Sequence, residues 1–266
     1  MAAPPNTVRL VSWNVNGFRA VVKKGFWDWL EAEQPDIVGL QETKISSDQL
    51  TLDLAQREGY HLYWSHAEKR GYSGVAILSK QEPLSVREGL GIPQFDSEGR
   101  VLIAEYPDFV FYNIYYPNGQ RGEERLRYKL AFYDAFLAHA DAMRAQGKSL
   151  VIGGDYNTAH KEIDLARPKA NETVSGFLPI ERAWLDRLVA HGYVDTFRER
   201  CDAPHRYSWW NMRTRARERN VGWRIDYFFV SDDARARIVE AEIHDQIEGS
   251  DHCPISLTLA LAGDSR

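Results

Sequence analysis

Six stretches of this chain run apolar for a few residues and then stop abruptly at an acid, an amide or a histidine. That pattern constrains the fold more than any other feature of the sequence. The stretches are VSWNVNG at 11–17, IVGLQETK at 37–44, FYNIYYPN at 111–118, LVIGGDYN at 150–157, WRIDY at 223–227, and GSDH at 249–252 leading into Cys253, Pro254 and Ile255. A short run rich in Val, Ile, Phe and Tyr, bounded by Gly, Pro, Asn or Asp, reads as a strand. Strand ends are where a rigid sheet can aim side chains into a common cleft. Any one of these ends alone is ordinary turn chemistry, because Asn, Asp and Gly favour turns. Together they suggest one polar pocket rimmed by sheet.

The predicted strands are Arg9–Val15, Asp36–Gln41, Gly74–Ser79, Val101–Tyr106, Phe109–Tyr115, Leu150–Gly153, Arg224–Val230 and Pro254–Leu261. The predicted helices are Gly25–Glu33, Ser47–Glu58, Glu123–Gln146 and Ile180–His191, and the third places Leu126, Leu130, Tyr133 and Leu137 at helical spacing. Strand pairs with no helix between them, such as Val101–Tyr106 and Phe109–Tyr115, argue against a purely parallel, doubly wound sheet. An α/β chain of mixed sheets packed face to face, with helices outside, fits better. No Pro/Ser-rich linker and no fixed long repeat interrupts the chain. The simplest division is a flexible tail over residues 1–7 and a single domain over 8–262.

Composition sets broad limits. Hydrophobic residues make up 44% and charged residues 27%, as in an ordinary soluble globular protein. Only Cys201 and Cys253 occur, which points away from a disulfide scaffold and towards a reducing cytoplasm. No basic and apolar leader opens the chain, and no apolar run approaches the ~20 residues of a membrane span. The net charge of −5 argues mildly against nucleic-acid binding. The charges are unevenly spread, however. Arg206, Arg213, Arg215, Arg217, Arg219 and Arg224 are opposed only by Glu218. Such a stripe is most often a solvated surface, and it is also what local phosphate binding needs.

The polar strand ends suggest a chemistry. Asn14, Glu42, Asp155, Asn157 and Asp251 form an oxygen-rich set suited to Mg²⁺. Zinc is disfavoured, since there is no HExxH and no CxxC pair, and Gly153-Gly154-Asp155 lacks the Lys-Ser/Thr of a phosphate-binding loop. Hydrolysing a phosphodiester requires neutralising its charge, activating water and stabilising the leaving oxyanion. Asp155 is the candidate to take the water proton. His252 is a candidate base or phosphate donor, with Asp226 fixing its tautomer. Asn14, Asn118, Asn157 and Tyr115 can donate hydrogen bonds to phosphate oxygens without adding charge.

These motifs resemble the exonuclease III type of AP endonuclease, within the endonuclease/exonuclease/phosphatase superfamily. The resemblance runs from about Val8 to Leu261. It is carried by SWNVNGFRA at 12–20, LQETK at 40–44, RGYSGVAILSK at 70–80, YYPNG at 115–119, GDYNTAHKEIDLARPK at 154–169, GFLPIERAW at 176–184, RNVGWRIDYFFVS at 219–231 and GSDHCPI at 249–255. GDxN and SDH are shared by many superfamily phosphatases. RNVGWRIDYF together with RGYSGVA and NTAHKEIDL is specific to the DNA-repair branch.

The resemblance implies a four-layered α/β sandwich, DNase I-like, with two mixed β-sheets face to face and outer helices. It implies Mg²⁺ or Mn²⁺ held by Glu42 with Asn14 and Asp251, and a second or moving metal position at Asp155, Asn157 and His252. Tyr115 and Asn118 would contact the scissile phosphate. Asp155 would accept or donate the proton, Asn157 would stabilise the transition state, and Asp226 would support His252. Trp209, Trp223 and Ile225 match the small apolar pocket that holds a flipped-out abasic sugar, a group cheaper to extrude than an intact nucleotide. Many relatives carry Phe where this chain has Trp209. Tyr72, Arg121, Arg213 and Arg217 would lie against DNA.

The implied activity is a DNA repair nuclease that cuts 5′ to abasic sites in duplex DNA, with 3′–5′ exonuclease and 3′-phosphodiesterase action on 3′-blocked ends. A monomer in the cytoplasm, at the nucleoid by virtue of its substrate, is the matching expectation. Two alternatives stand beside it. Another superfamily phosphodiesterase would keep the acids and His252 but not RNVGWRIDYF or the tryptophan pocket. A non-catalytic DNA-binding relative would be expected to lose metal ligands, and all of those positions are filled here.

Overall fold

A computed structural model describes residues 6–262. The apolar runs become two six-stranded sheets. One holds β1 (Thr7–Asn14), β2 (Ile37–Gln41), β3 (His61–Ser65), β4 (Val75–Ser79), β13 (Ile238–Ile243) and β14 (Ile255–Ala260), in the order β13-β14-β1-β2-β4-β3. The other holds β5 (Ser85–Glu88), β6 (Val101–Glu105), β7 (Val110–Tyr115), β8 (Leu150–Asp155), β9 (Tyr193–Asp195) and β12 (Asp226–Ser231), in the order β5-β6-β7-β8-β12-β9. A separate ribbon pairs β10 (Trp209–Trp210) with β11 (Gly222–Trp223). Each large sheet has one parallel pair, β1–β2 and β7–β8, and is antiparallel elsewhere.

Side-chain alternation assigns the layers. Leu10, Ile37, Ile77, Phe111, Val151 and Phe228 fill the space between the sheets. Their opposite-face neighbours Trp13, Val38, Leu40 and Leu78 share a cluster with Phe18, Phe26 and Leu30 of the N-terminal helices. Tyr112, Ile114, Ile152 and Phe229 pack with Phe132, Phe136, Trp184 and Leu185 of the helices Glu123–Ala145 and Pro179–Ala190. The result is the expected four-layered sandwich. Burial of both strand faces explains why the central strands read as nearly unbroken apolar runs.

Buried polar contacts cross between the sheets within this apolar core, Tyr106 Oη donating to Ser79 Oγ at 2.9 Å among them. Gln41 Nε2 donates to Asn113 Oδ1 at 2.6 Å, and Asn113 Nδ2 donates to the carbonyls of Leu40 and Ala76. Gly39 makes room for it, since a Cβ there would stand 2.8 Å from Asn113 Oδ1.

Some local expectations need correction. The predicted helix Ser47–Glu58 is a 3₁₀ turn, Ser47–Gln49, and a single helical turn, Leu52–Ala55. Leu52 is 75% exposed and Leu54 alone of that turn is buried, so the segment has no continuous apolar face. The buried face of Glu123–Ala145 runs through Lys129, Phe132, Phe136, Ala140 and Met143, whereas Leu126 and Leu130 are only half-buried. The strands β3, β5, β9 and β13 were not predicted. The short or half-exposed character of these strands blurs the apolar signal. Residues 1–5 of the expected tail lie outside the described residues, and Thr7 already pairs with Ala260.

Candidate active site

The face that builds the inter-sheet core also carries the functional side chains. Counting by twos along β1 leads from Leu10 through Ser12 to Asn14; along β7 from Phe111 through Asn113 to Tyr115; and along β8 from Val151 through Gly153 to Asp155. Asp226 opens β12 directly opposite Asp155. Glu42 follows β2 with φ 50°, and Asn16, Lys44 and Asn157 have φ of 47°, 51° and 52°. Left-handed backbone at four non-glycine residues is uncommon and clusters at functional sites. Here it turns the chain at strand ends.

The ends meet in one hydrogen-bonded set. Asn14 Nδ2 donates to Glu42 Oε1 at 3.0 Å and to Asp155 Oδ2 at 2.8 Å. Asp155 Oδ1 accepts from the Asn157 backbone N–H at 2.8 Å. His252 Nδ1 lies 2.8 Å from Asp226 Oδ2, which also accepts from Ser208 Oγ at 2.6 Å, and His252 Nε2 stands 3.9 Å from Asp155 Oδ2. Trp13 Nε1 donates to the His252 carbonyl at 3.1 Å and so fixes its backbone. Asn118 Nδ2 donates to Asn157 Oδ1, and Asn157 Nδ2 donates to the Tyr116 carbonyl.

The electrostatics follow from burial. Asp155 and Asp226 are only 1% and 2% exposed. Burial, then the nearby Asp226 charge, raises the Asp155 pKa. Burial opposes the charge on His252, yet the carboxylates of Asp226 and Asp155 outweigh it and raise its pKa, which favours an imidazolium. Glu42 is only partly buried; its desolvation opposes the charge, but Lys44 and hydrogen bonds from Asn14 and Tyr115 outweigh it and lower its pKa. Asp226 Oδ1 is buried with no partner among the described residues.

One ligand atom each from Glu42, Asp155 and His252 lies within 4.8 Å of the others. Crowded carboxylates with an excess of negative charge suit a hard divalent cation. The grouping differs in detail from the two sets that the resemblance implied. Glu42 and Asp155 share the Asn14 amide, which joins the sets into one. Asp251 stands to the side, with Oδ1 accepting from Asn16 Nδ2 at 2.9 Å and Oδ2 from Trp209 Nε1 at 3.0 Å.

A cleft of about 530 Å³ opens beside this cluster. Glu42, Tyr115, Asn118, Asn157, Asp251 and His252 line its polar side, and Trp209, Trp223 and Ile225 line an apolar side. Ile225 packs with Ala159, Leu165 and Phe177, with both indoles against them. The Trp209 and Trp223 rings meet edge to face at 6.4 Å and 83°.

The chain resembles known proteins along nearly its whole length. The model of the Endonuclease/Exonuclease/phosphatase family matches residues 11–252. The chain is 46% identical to an exodeoxyribonuclease of Bacillus subtilis over 254 residues, covering 95% of this chain and 99% of that protein.

The chain belongs to the endonuclease/exonuclease/phosphatase family, in its exonuclease III-type AP endonuclease branch.

It is also 45% identical to the DNA repair nuclease APEX1 of Danio rerio, covering 96% of this chain and 83% of that one. The crystal structure of AP endonuclease LMAP from Leishmania major superposes with a TM-score of 0.89 at 29% identity, covering 98% of this chain and 90% of that one.

Not every DNA-facing candidate of this AP endonuclease-type chain lies in the cleft. Arg121 and Arg213 are exposed. Arg217 donates to the carbonyls of Asp245 and Ile247 and lies over the Trp210 ring at 4.6 Å. Tyr72 accepts from Arg100 and Arg125, both of which also bond Glu98.

Several contributors escaped the sequence reading. Ser208 holds Asp226, Lys44 lies 2.8 Å from Glu42, and Asn16 holds Asp251. Lys129, wholly buried, donates to the Asn157 carbonyl, to Thr158 and to Glu181. Asn16 and Lys44 lie two residues after Asn14 and Glu42, and that adjacency is a usable signal in the sequence. Nothing in the sequence marks Ser208 or Lys129.

Proposed function

We propose that this protein hydrolyses the phosphodiester on the 5′ side of abasic sites in duplex DNA, with 3′–5′ exonuclease and 3′-phosphodiesterase activity at blocked ends. The observation that carries this reading is the adjacency of the Glu42–Asp155–His252 cluster to an apolar recess walled by Trp209, Trp223 and Ile225. Intact bases are large and stacked; a base-less sugar is small and cheap to extrude, and it fits between aromatic walls. The names of the relatives support the same substrate.

Mg²⁺ or Mn²⁺ is the proposed cofactor, held by Glu42 and Asp155 with Asn14, Asn157 and Asp251 around it, and the imidazolium of His252 stands beside it. When bound, it supplies Lewis-acid neutralisation of the phosphate and of the leaving oxyanion. The chain's own groups do the rest. Asp155, with its raised proton affinity, accepts the proton of the attacking water. His252, kept protonated by Asp226, donates Nε2–H to a phosphate oxygen. Tyr115, Asn118 and Asn157 donate further hydrogen bonds to that group. Arg121 and Arg213 supply contacts to flanking phosphates, and Tyr72 packs against the duplex. One domain over residues 8–262, acting as a cytoplasmic, nucleoid-associated monomer, completes the reading. No helix among the described residues is long and apolar enough to cross a membrane.

An end-labelled duplex with one abasic analogue tests it. Incision 5′ to the lesion with Mg²⁺, and none with chelator, is expected. Equal cutting of an intact duplex would point to a general nuclease instead, and no cutting at all would refute an enzymatic role.

A further inference from the structure

The two-residue strand β10 is hydrogen-bonded on both sides. One side pairs Trp209 with Trp223 and Trp210 with Gly222. On the other, the Trp210 N–H donates to the Asp251 carbonyl at 3.0 Å, the Cys253 N–H donates to the Ser208 carbonyl at 2.9 Å, and Trp209 bridges to His252. The recess wall and the Asp251–His252 segment are therefore joined directly by backbone hydrogen bonds along β10.

The side chain adds a link that an apolar wall does not need. Trp209 Nε1 donates to Asp251 Oδ2 at 3.0 Å. Asp251 Oδ1 is already taken by Asn16 Nδ2 at 2.9 Å and Ser250 Oγ at 3.2 Å. Among the described residues, Trp209 is thus the one side-chain donor to Oδ2. An indole N–H can only donate, so it sets the rotation of the carboxylate without competing for a cation. Phenyl in its place keeps the wall and loses the donor.

We propose that Trp209 is a positioning residue: besides walling the recess, its indole N–H fixes the Asp251 carboxylate in the orientation that serves the divalent cation. The proposal rests on the reading of Asp251 as part of the cation site. Groups that orient a metal ligand in this way typically contribute 10–100-fold to metal affinity.

The test is calorimetric titration of the full chain with Mn²⁺, without DNA, for the wild type, W209F, D251N and the double variant. Incorporating benzothienylalanine at position 209 keeps the bicyclic shape and removes the N–H. W209F and the benzothienylalanine protein should both bind Mn²⁺ about tenfold more weakly. D251N should also bind more weakly, and W209F should add nothing in the D251N background. Melting temperatures in chelator should stay close to the wild type for W209F. Wild-type Mn²⁺ affinity in both position-209 proteins, or additive losses in the double variant, would overturn the assignment while leaving Asp251 in the cation site. Unchanged affinity in D251N would remove the underlying reading, and the proposal with it.

Discussion

Arg224 and Asp226 are two residues apart, yet they belong to opposite electrostatic regimes. Arg224 is buried with its charges matched. Its Nε donates to Asp164 Oδ1 at 2.8 Å, its two terminal nitrogens hold the Asp195 carboxylate at 3.1 and 2.6 Å, and Arg198 adds a second cation on Asp164 at 2.7 Å. Burial raises the Asp164 pKa, but Arg224 and Arg198 outweigh it and hold the group down to about 2. Around Asp226 the balance is reversed. Asp226, Asp155 and Glu42 face His252 and Lys44, one oxygen of Asp226 has no partner among the described residues, and the Asp155 pKa goes up. A compensated cluster holds the fold together in the sense that removing any one member strands a buried charge. An under-compensated one keeps an attraction for an external cation at some expense in stability.

The largest test of this contrast is Asp155→Asn. Turnover on an abasic duplex should fall by at least about a thousandfold, the order seen when a principal catalytic group is removed. The melting temperature in chelator should hold or rise, because a buried like charge is gone. A clear drop in melting temperature would place Asp155 in the stabilising class and break the comparison.

Asp164→Asn should do the reverse. Leaving Arg224 short of a carboxylate inside the protein should cost about 3–5 kcal/mol, or roughly 10 °C in melting temperature at ~2–4 °C per kcal/mol. Turnover per folded molecule should stay within about twofold. Denaturant melts and kinetics on the same preparation check both halves.

Acid titration sharpens the contrast through its sign. The Asp164 pKa is depressed in the folded state, so its contribution is present above the unfolded pKa near 4 and disappears as pH falls through about 2. That amounts to roughly 2 kcal/mol by the linkage relation, and the loss should be absent in Asp164→Asn. The Asp155 pKa is raised, so its contribution is present at low pH and is lost as pH rises through the folded value. In chelator, a stability slope of that sign near neutrality should be steeper in the wild type than in Asp155→Asn, where the raised His252 pKa still contributes a slope of the same sign. Slopes of equal sign at the two sites would overturn the assignment.

The smallest effect concerns exposed arginines. Arg213 is exposed and Arg217 is committed to two carbonyls. Arg213→Ala should flatten the log–log salt dependence of DNA binding by ~0.9 and leave stability alone. Arg217→Ala should lower the melting temperature first. An unchanged salt slope for Arg213→Ala would remove that residue from the DNA-binding surface.

The two regimes were unequally legible in the sequence. Asn14, Tyr115, Asp155 and Asp226 could be read because strand periodicity puts them on one face and an apolar run marks each end. The central strands were found for the same reason. Edge strand β5 is mostly solvent-facing, so packing left little imprint on its sequence. Lys129 sits in a helix with many other charged residues, and its partner Glu181 lies 52 residues on and comes close only through packing of the two helices. Arg224 was counted within a basic stripe, although Asp164 and Asp195 neutralise it from distant parts of the chain. Periodicity reports which way a residue faces. It does not report which charge from another segment will meet it.

The seam between the two sheets gives the clustered acids a mechanical meaning. Glu42 comes from the end of one sheet and Asp155 from the end of the other, and the Gln41–Asn113 contact latches the same seam. A cation gripped by both acids would therefore act as a rivet across the sandwich, opposing shear of one sheet over the other. Its removal should soften the strand ends on both sides together, so that amide exchange at Asn14 and at Tyr115, in different sheets, would quicken in step.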